Sequence, residues 1–122
     1  MQTKEIAAEL VAGCREGREA ENLRKLYADD AVSVEAADFG DGREVKGVDA
    51  IQGKHDWWNA TFEVQDASTS DPMMHGDDRF AVIFDVKARN RETGQVDDMR
   101  EVGLYHVADG KIVREEFFYG TE

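Results

Sequence analysis

The segment GLYHVADGKIVREEFFYG, residues 103–120, decides the fold of this 122-residue chain. Apolar and polar side chains alternate along both of its halves, which is typical of strands whose successive residues point to opposite faces of a sheet. The halves are joined by ADGK, which holds the Asp and Gly that tight hairpin turns use. The segment therefore predicts two antiparallel strands, at 96–107 and 111–119.

The same period of two extends back to residue 63. Two more strands are predicted, at about 63–74 and 79–91, and the turns between strands carry HGDD, RETGQ and ADGK. The first half of the chain has a helical period instead. Its predicted helices cover residues 4 to about 17, a short segment ending at Asp29–Asp30, and residues 48–62. Between the last two helices lie a strand at 31–36, a turn at 38–44 and the short strand EVKG. Helices first and an antiparallel meander second predict one α+β domain over residues 1–122.

Charge and cysteine content exclude several classes of function. The chain has 27 acidic and 15 basic residues and a formal net charge of −12, so neither nucleic acid nor an anionic membrane is an expected partner. Its single cysteine, Cys14, allows no intramolecular disulfide. No apolar run reaches the roughly 18 residues of a membrane span, and MQTKEIAAEL lacks the apolar core of a signal peptide, so a cytoplasmic location is expected.

The histidines show no metal-binding pattern. His55, His75 and His106 lie far apart, without the spacing of metal ligands, and no metal or other cofactor is expected. His55 shares the apolar face of the third helix with Ile51, Trp58 and Phe62. It either forms a hydrogen bond within the core or points into a pocket as an acid/base group.

Alternation in the last two strands predicts a polar set on one sheet face. Glu101, Gly103, Tyr105 and Val107 share a face of one strand, and Val113, Glu115, Phe117 and Tyr119 share a face of the next. Asp85, in VIFDVK, is a further candidate from the neighbouring strand. Facing one cavity, with His55 and Trp58 across its mouth, these groups would form a small-molecule site. In the alternative, Glu101 and Glu115 form ion pairs with arginines such as Arg100 or Arg114.

Three segments carry a resemblance to a known superfamily. LYADDAVSVE, KGVDAI and GLYHVADGKIVREEFFYG resemble the nuclear transport factor 2-like, or SnoaL-like, domains, which include ketosteroid isomerases and polyketide cyclases. The resemblance covers almost the whole chain. It implies a cone-shaped α+β barrel in which three helices of the N-terminal half pack on the concave face of a curved, mostly antiparallel sheet. A deep pocket would open at one end, with Ser33 and Glu35 facing the concavity.

The resemblance also implies roles for individual residues. Glu35, four residues after Ala31, matches the aspartate that shuttles the proton in the isomerases. The positions of their two oxyanion donors hold Val11 and Gly103, so steroid isomerisation by that mechanism is not expected. The acid/base position of the cyclases holds Phe117, with Glu115 two residues earlier as a possible substitute.

Two functions remain open at this point. The first is an enzyme of isomerase, cyclase or hydrolase type, doing acid/base chemistry on a small apolar carbonyl or epoxide substrate. The second is a non-catalytic ligand-binding or dimeric association domain. The candidate catalytic residues are Glu35, His55, Asp85, Glu101 and Glu115, and the candidate substrate-binding residues are Trp58, Tyr105, Phe117 and Tyr119.

The other sheet face is predicted to be an interface. Alternation places Val102, Leu104, Ile112 and Phe118 on it, and the helices cannot cover both faces. The resembled superfamily often dimerises through this face. A homodimer is therefore expected.

Overall fold

A curved sheet forms one layer of the fold and three helices form the other. The computed structural model describes residues 1–38 and 40–120. The helices are α1 (Thr3–Glu16), α2 (Glu19–Leu26) and α3 (Val48–Thr61). The strands are β1 (Tyr27–Val34), β2 (Glu44–Lys46), β3 (Phe62–Thr69), β4 (Met73–His75), β5 (Arg79–Asn90), β6 (Val96–Ala108) and β7 (Lys111–Phe118).

The strands run in the order β2-β1-β7-β6-β5-β3, and β4 adds a short pairing to β5. The pairing of β1 with β7 is parallel and the other pairings are antiparallel. The predicted α+β cone fold is confirmed: three helices pack on a curved, mostly antiparallel sheet. The sheet stays open, with β2 and β3 as its edges.

Local signals define the helices. At the start of α1 the backbone N–H of Gln2 donates to the Glu5 carboxylate at 2.8 Å, and the helix ends at Gly17, whose φ of 73° suits a residue without a Cβ. Gly13 lets α2 approach closely, since a Cβ there would lie 1.9 Å from the Asn22 side-chain nitrogen. None of the described helices is long and apolar enough to cross a membrane.

The core lies between the helices and one face of the sheet. Its sheet side is formed by Phe80, Val82, Tyr105 and Ile112, all buried. Its helix side includes Ile6, Leu10, Leu23, Leu26 and Ile51. The helices cover this face and the sheet curves around them, so this face is the concave one.

A bulge in β7 corrects the predicted position of Ile112. His106 pairs with Arg114 and Val107 pairs with Ile112, so the register skips Val113. The extra residue reverses the alternation, because side chains before and after a bulge no longer follow one period of two. Ile112 is therefore fully buried in the core, and the prediction that it lies on the outer face was wrong.

Two strand boundaries also differ from the prediction. β1 begins at Tyr27, earlier than predicted, because Tyr27 already pairs with Ile112 of β7 before the register shifts. The predicted strand at 63–74 is divided into β3 and β4 around residues 70–72. There the hydroxyl of Ser70 accepts the backbone N–H of Ile83 at 2.8 Å, which replaces a ladder hydrogen bond.

Candidate functional site

Pairing between strands gathers polar side chains on the concave face. Phe84 pairs with Glu101, Gly103 with Phe117, and Tyr105 with Glu115. Directly paired residues point to the same side of a sheet, so these side chains share the face that the helices cover. The alternation in the sequence predicts this common face for Glu101, Tyr105, Glu115 and Phe117.

The most buried charged side chain among the described residues is that of Glu115, which is only 3% exposed. It accepts a short hydrogen bond from the Tyr27 hydroxyl and another, at 2.6 Å, from the hydroxyl of the fully buried Ser33. A buried carboxylate without donors would be strongly destabilising. Tyr27 and Ser33 of β1 therefore make it possible for β7 to carry an acid at this depth.

Lys54 extends this network from the core towards the open end of the cone. Its ammonium donates to Ser33 Oγ at 2.7 Å and to Glu35 Oε2 at 2.9 Å. The other oxygen of Glu35 accepts the Tyr119 hydroxyl at 3.2 Å. Lys54 and Glu35 each keep 24% of their side-chain surface exposed, so this end of the network reaches the protein surface.

An aromatic wall flanks Lys54. The Nζ atom lies 5.5 Å from the centre of the Phe117 ring, within the range of a cation–π contact. The Phe117 ring meets Tyr105 edge to face at 6.3 Å, and Tyr105 stacks on Phe80 at 4.9 Å. A Cβ on Gly103 would lie 2.9 Å from the Tyr105 ring, so glycine makes room for that ring.

Glu101 is the carboxyl group that titrates near neutrality. The pKa of Glu101 is raised from 4.5 to about 7, first by burial and then by the negative charge of Glu35, while the charge of Lys54 opposes the shift. Among the residues that the structure describes, its carboxylate forms neither a side-chain hydrogen bond nor an ion pair. At neutral pH this group is therefore divided between its acid and base forms.

The tyrosines of the network remain protonated. Burial raises the pKa of Tyr119 to about 12, with a further contribution from the charge of Glu35. Burial, followed by the charge of Glu115, also raises the pKa of Tyr27 and of Tyr105 well above the ordinary range. All three phenols are therefore neutral at physiological pH, and those of Tyr27 and Tyr119 donate hydrogen bonds to carboxylates.

Sequence and structure comparisons agree with this architecture. The family model described as SnoaL-like domain matches residues 1–119. The chain belongs to the SnoaL-like domain family. No curated protein matches it significantly.

Solved structures with the same fold include one protein of clear sequence similarity and others of low identity. A protein from Mesorhizobium loti is 36% identical to this chain, and the match covers 98% of this chain and 100% of that one. It is described both as a candidate SnoaL-like polyketide cyclase and as a carbohydrate phosphatase, and the two folds superpose with a TM-score of 0.90. An NTF2-like protein from Burkholderia thailandensis is 18% identical with a TM-score of 0.85, over 99% and 92%. A ketosteroid isomerase-like fold from Catenulispora acidiphila, solved with trimethylamine, is 19% identical with a TM-score of 0.74, over 96% and 86%. The last two support the fold alone.

One predicted site residue of this SnoaL-like domain lies on the wrong face. Asp85 pairs with Arg100 across β5 and β6, and its carboxylate lies 3.5 Å from the Arg100 guanidinium on the outer face of the sheet. The prediction that Asp85 joins the concave set was wrong. Alternation shows which residues of one strand lie on the same face, but the register between two strands decides which residues of the neighbouring strand lie on that face. Asp85 borders a shallow cleft of about 490 Å³ with Asp66, Lys87 and Asp98.

His55 and Trp58 are not part of the hydrogen-bonded network. His55 is partly exposed, and Trp58 packs against Phe62 with ring centres 4.5 Å apart at the end of α3. The residue that α3 sends into the network is Lys54. Lys54 follows the buried Ile51 by three positions, a helical spacing that places both on one side and that could have identified it.

The concave face is largely filled by its own side chains. Phe80, Tyr105 and Glu115 are buried, and the partly exposed groups Lys54, Glu35, Glu101 and Tyr119 lie beyond them. A separate cleft of about 300 Å³ lies where the start of α1 faces the β4–β5 turn. The site is therefore best described as a polar network with an open end.

Proposed function

We propose that this SnoaL-like domain is a small-molecule enzyme that transfers protons on an apolar carbonyl or epoxide substrate, with Glu101 as the acid/base group. The observation that carries the proposal is the state of Glu101: a partly buried carboxyl group, unpaired among the described residues, with its pKa raised to about 7. A general acid/base works best when its pKa lies near the working pH.

The two neighbouring carboxylates are less suited to that role. Glu35 is held by the Lys54 ammonium and the Tyr119 hydroxyl, and Glu115 is held by Tyr27 and Ser33. A carboxylate whose oxygens already accept hydrogen bonds from neighbouring side chains is less available to take a proton from a substrate. Among the predicted acids, Glu101 is therefore the favoured proton carrier, and Glu35 and Glu115 position the groups around it.

The charge balance of the site favours a carbonyl substrate over a phosphate ester, the two substrate types that the description of the relative with 36% identity suggests. That description combines polyketide cyclase with carbohydrate phosphatase. A phosphate-binding site needs an excess of positive charge or backbone donors. Here one ammonium, Lys54, stands beside Glu35, Glu101 and Glu115. This balance disfavours a phosphate dianion and is compatible with a neutral carbonyl compound.

The alternative function is a binding or association domain without a reaction. It is favoured by the filled concave face and by the absence of side-chain donors at Val11 and Gly103. The outer sheet face provides the association surface in either case. Cross-strand pairing brings together Ala81, Ile83, Val102, Leu104 and Phe118 there, and Phe118 is 48% exposed. We propose that two copies of the chain pack through this face, because exposed apolar sheet surfaces normally mark interfaces.

Glu101→Gln is the test of the enzymatic proposal. The purified chain is screened for isomerisation, cyclisation and hydrolysis of apolar diketones, enones and epoxides, with a phosphate monoester in parallel. For any activity found, Glu101→Gln should lower kcat about 10²-fold or more, because the amide retains the shape and removes the proton carrier. Asp85→Asn, on the outer face, is the matched control and should be neutral. A reaction that Glu101→Gln leaves unchanged rejects the proposed role of Glu101.

A further inference from the structure

We propose that Lys54 is the electrophilic donor of this site, and that its ligands present a carbonyl-type oxygen that carries or develops negative charge. This inference rests on the proposed function of the same site and names its substrate class. Lys54 would contact the substrate oxygen directly. Ser33 and Glu35 would act as positioning residues, since they contact Lys54 and not the substrate.

The geometry of Lys54 leaves one donor for a ligand. An ammonium group has three N–H donors, and two of them are directed at Ser33 Oγ and Glu35 Oε2. These two acceptors belong to one strand, β1 and its continuation, and hold the flexible lysine stem in a defined position. The Phe117 ring, 5.5 Å away, closes another side of the ammonium. A substrate oxygen would then meet a donor that is already oriented, which limits the reorganisation needed during reaction.

Glu101 lies on the same concave face as the aromatic ring beside Lys54. It is two residues along β6 from Gly103, which pairs with Phe117, and the Phe117 ring lies 5.5 Å from the Lys54 ammonium. The charges of Lys54 and Glu101 are coupled, since the lysine lowers the pKa of the carboxyl group, yet the described residues include no ion pair between them. A carbonyl oxygen bound by the remaining ammonium donor would therefore lie on the face that carries Glu101.

The chemistry follows from this arrangement. The Glu101 carboxylate takes a proton from the carbon next to the carbonyl, so a C–H bond breaks and an O–H bond forms on Glu101. The released electron pair forms a C=C bond, and the C=O π pair moves to the oxygen, which Lys54 stabilises as an oxyanion. With a β,γ-unsaturated carbonyl substrate, Glu101 returns the proton to the γ carbon, the C=O bond re-forms and the C=C bond moves into conjugation, giving an isomer. With a dicarbonyl substrate, the enolate carbon attacks the second carbonyl, the first C=O bond re-forms, and Glu101 returns the proton to the new alkoxide of the ring. Lys54 remains an ammonium throughout, and no other reactant is needed.

A binding experiment tests the role of Lys54 without turnover. The probes share an apolar body and differ in the head group: 2-naphthoate as the planar anion, 2-naphthamide as the neutral carbonyl, and 2-naphthylmethylammonium as the cation. Binding to the full chain is followed by NMR at pH 6 and pH 8. We expect the anion to bind more tightly than the cation, and more tightly at pH 6, where Glu101 is mainly protonated.

Lys54→Met then removes the charge and keeps the apolar stem. It should weaken 2-naphthoate binding about tenfold or more and change 2-naphthamide binding less, whereas Lys87→Met, on an exposed part of β5, should change neither. Equal affinity of wild type and Lys54→Met for the anion overturns the proposal. So does tighter binding of the cation by the wild-type chain, or no binding of 2-naphthoate, results that do not depend on the variant folding. A failure here leaves the Glu101→Gln rate test untouched, so the two proposals fail separately.

Discussion

Lys54 and Glu35 form an ion pair, with the Nζ and Oε2 atoms 2.9 Å apart, that joins the middle of α3 to the residue after β1. Both side chains are about three-quarters covered, so the pair is better shielded from water than a surface ion pair. In this pair, Glu35 is the anionic partner that holds the Lys54 ammonium at the open end of the cone. The charges of Lys54 and Glu35 shift the pKa of Glu101 in opposite directions, and each of the three charges can be removed by a separate substitution.

Removing the positive charge should raise the pKa of Glu101. In Lys54→Met the carboxylate loses the one charge that favours its ionised form, while burial and Glu35 still oppose ionisation. We expect the Glu101 pKa to move from about 7 to a higher value. Carbon-13 NMR of labelled glutamate carboxyls measures it. Lys87→Met is the control, and a Glu101 pKa that falls or stays constant in Lys54→Met contradicts the proposed electrostatics.

Glu101 should also make the folded state less stable as the pH rises. Its pKa is raised from 4.5 in the unfolded chain to about 7 in the fold, so between these values the folded state binds more protons. The contribution to the free energy of unfolding is present below pH 4.5 and is lost as the pH rises through 7, by up to about 3 kcal/mol, since one pKa unit corresponds to about 1.4 kcal/mol.

Glu101→Gln removes this titration. The variant should be more stable than the wild-type chain at pH 8, with a smaller difference at pH 4, in urea unfolding followed by circular dichroism. Glu92→Gln, an exposed residue in the β5–β6 turn, should follow the wild type at both pH values. A wild-type chain that gains stability, relative to Glu101→Gln, between pH 5 and pH 7 would show that the sign of the pKa shift is wrong.

Alternation was sufficient to place the polar set of β6 and β7. Glu101, Tyr105, Glu115 and Phe117 follow the period of two, and a hairpin turn as short as ADGK leaves little freedom in how the strands face each other. The same reasoning failed at Ile112, because a bulge at Val113 reverses the period and has no clear sequence signal. It failed for Asp85, whose face depends on the register between β5 and β6.

Lys54 and Tyr27 were missed for a different reason. Lysine is rarely buried, so in a helix it is first assigned to solvent, and its two acceptors lie 19 and 21 residues away along the chain. Tyr27 lies in the segment ending at Asp29–Asp30 that the sequence predicts to be helical, although it begins β1 and donates to Glu115 across the sheet. Long-range partners of this kind follow from the fold and not from local pattern.

The outer sheet face provides a prediction about assembly. Leu104→Glu places a charge beside Ala81 and Glu116, at the border of the apolar surface that Ile83, Val102 and Phe118 form. If two copies pack there, the variant should give monomers or aggregates, because burying an unpaired carboxylate is strongly unfavourable. Sedimentation velocity at micromolar concentration measures the change. Val64→Glu, on the exposed strand β3, is the control. A wild-type chain that sediments as a monomer rejects the proposed dimer.

The buried end of the network provides a prediction about stability. Tyr27→Phe removes a donor to the buried Glu115 carboxylate and should lower the free energy of unfolding by about 1.5–3 kcal/mol, the usual range for a hydrogen bond to a charged group. Tyr105→Phe is the matched control, since the described residues include no side-chain hydrogen bond of its hydroxyl. Urea unfolding at pH 7 compares them. Equal losses in the two variants would mean that the Tyr27 hydroxyl contributes no more than any buried phenol.

Glu35→Gln separates a positioning role from a catalytic one. The amide keeps the shape of the side chain, and its oxygen can accept from Lys54 while its NH2 group donates to the Tyr119 hydroxyl, but it removes a negative charge that raises the pKa of Glu101. We expect the Glu101 pKa to fall below about 7, opposite to the effect of Lys54→Met. Binding of 2-naphthoate should tighten, because one repulsive charge is lost and the ammonium remains.

Kinetics then decide the role of Glu35 in any reaction found. A positioning residue should change KM and shift the pH profile to lower pH along with Glu101, with kcat reduced less than in Glu101→Gln. A general base should instead lose about 10²-fold or more in kcat, with little change in the pKa of Glu101. The second pattern would make Glu35 the proton carrier, as its match to the isomerase aspartate implies, and would reduce Glu101 to a neighbour that tunes it. The first pattern would assign proton transfer to Glu101 on β6, a carboxyl group whose pKa Glu35 raises and Lys54 lowers.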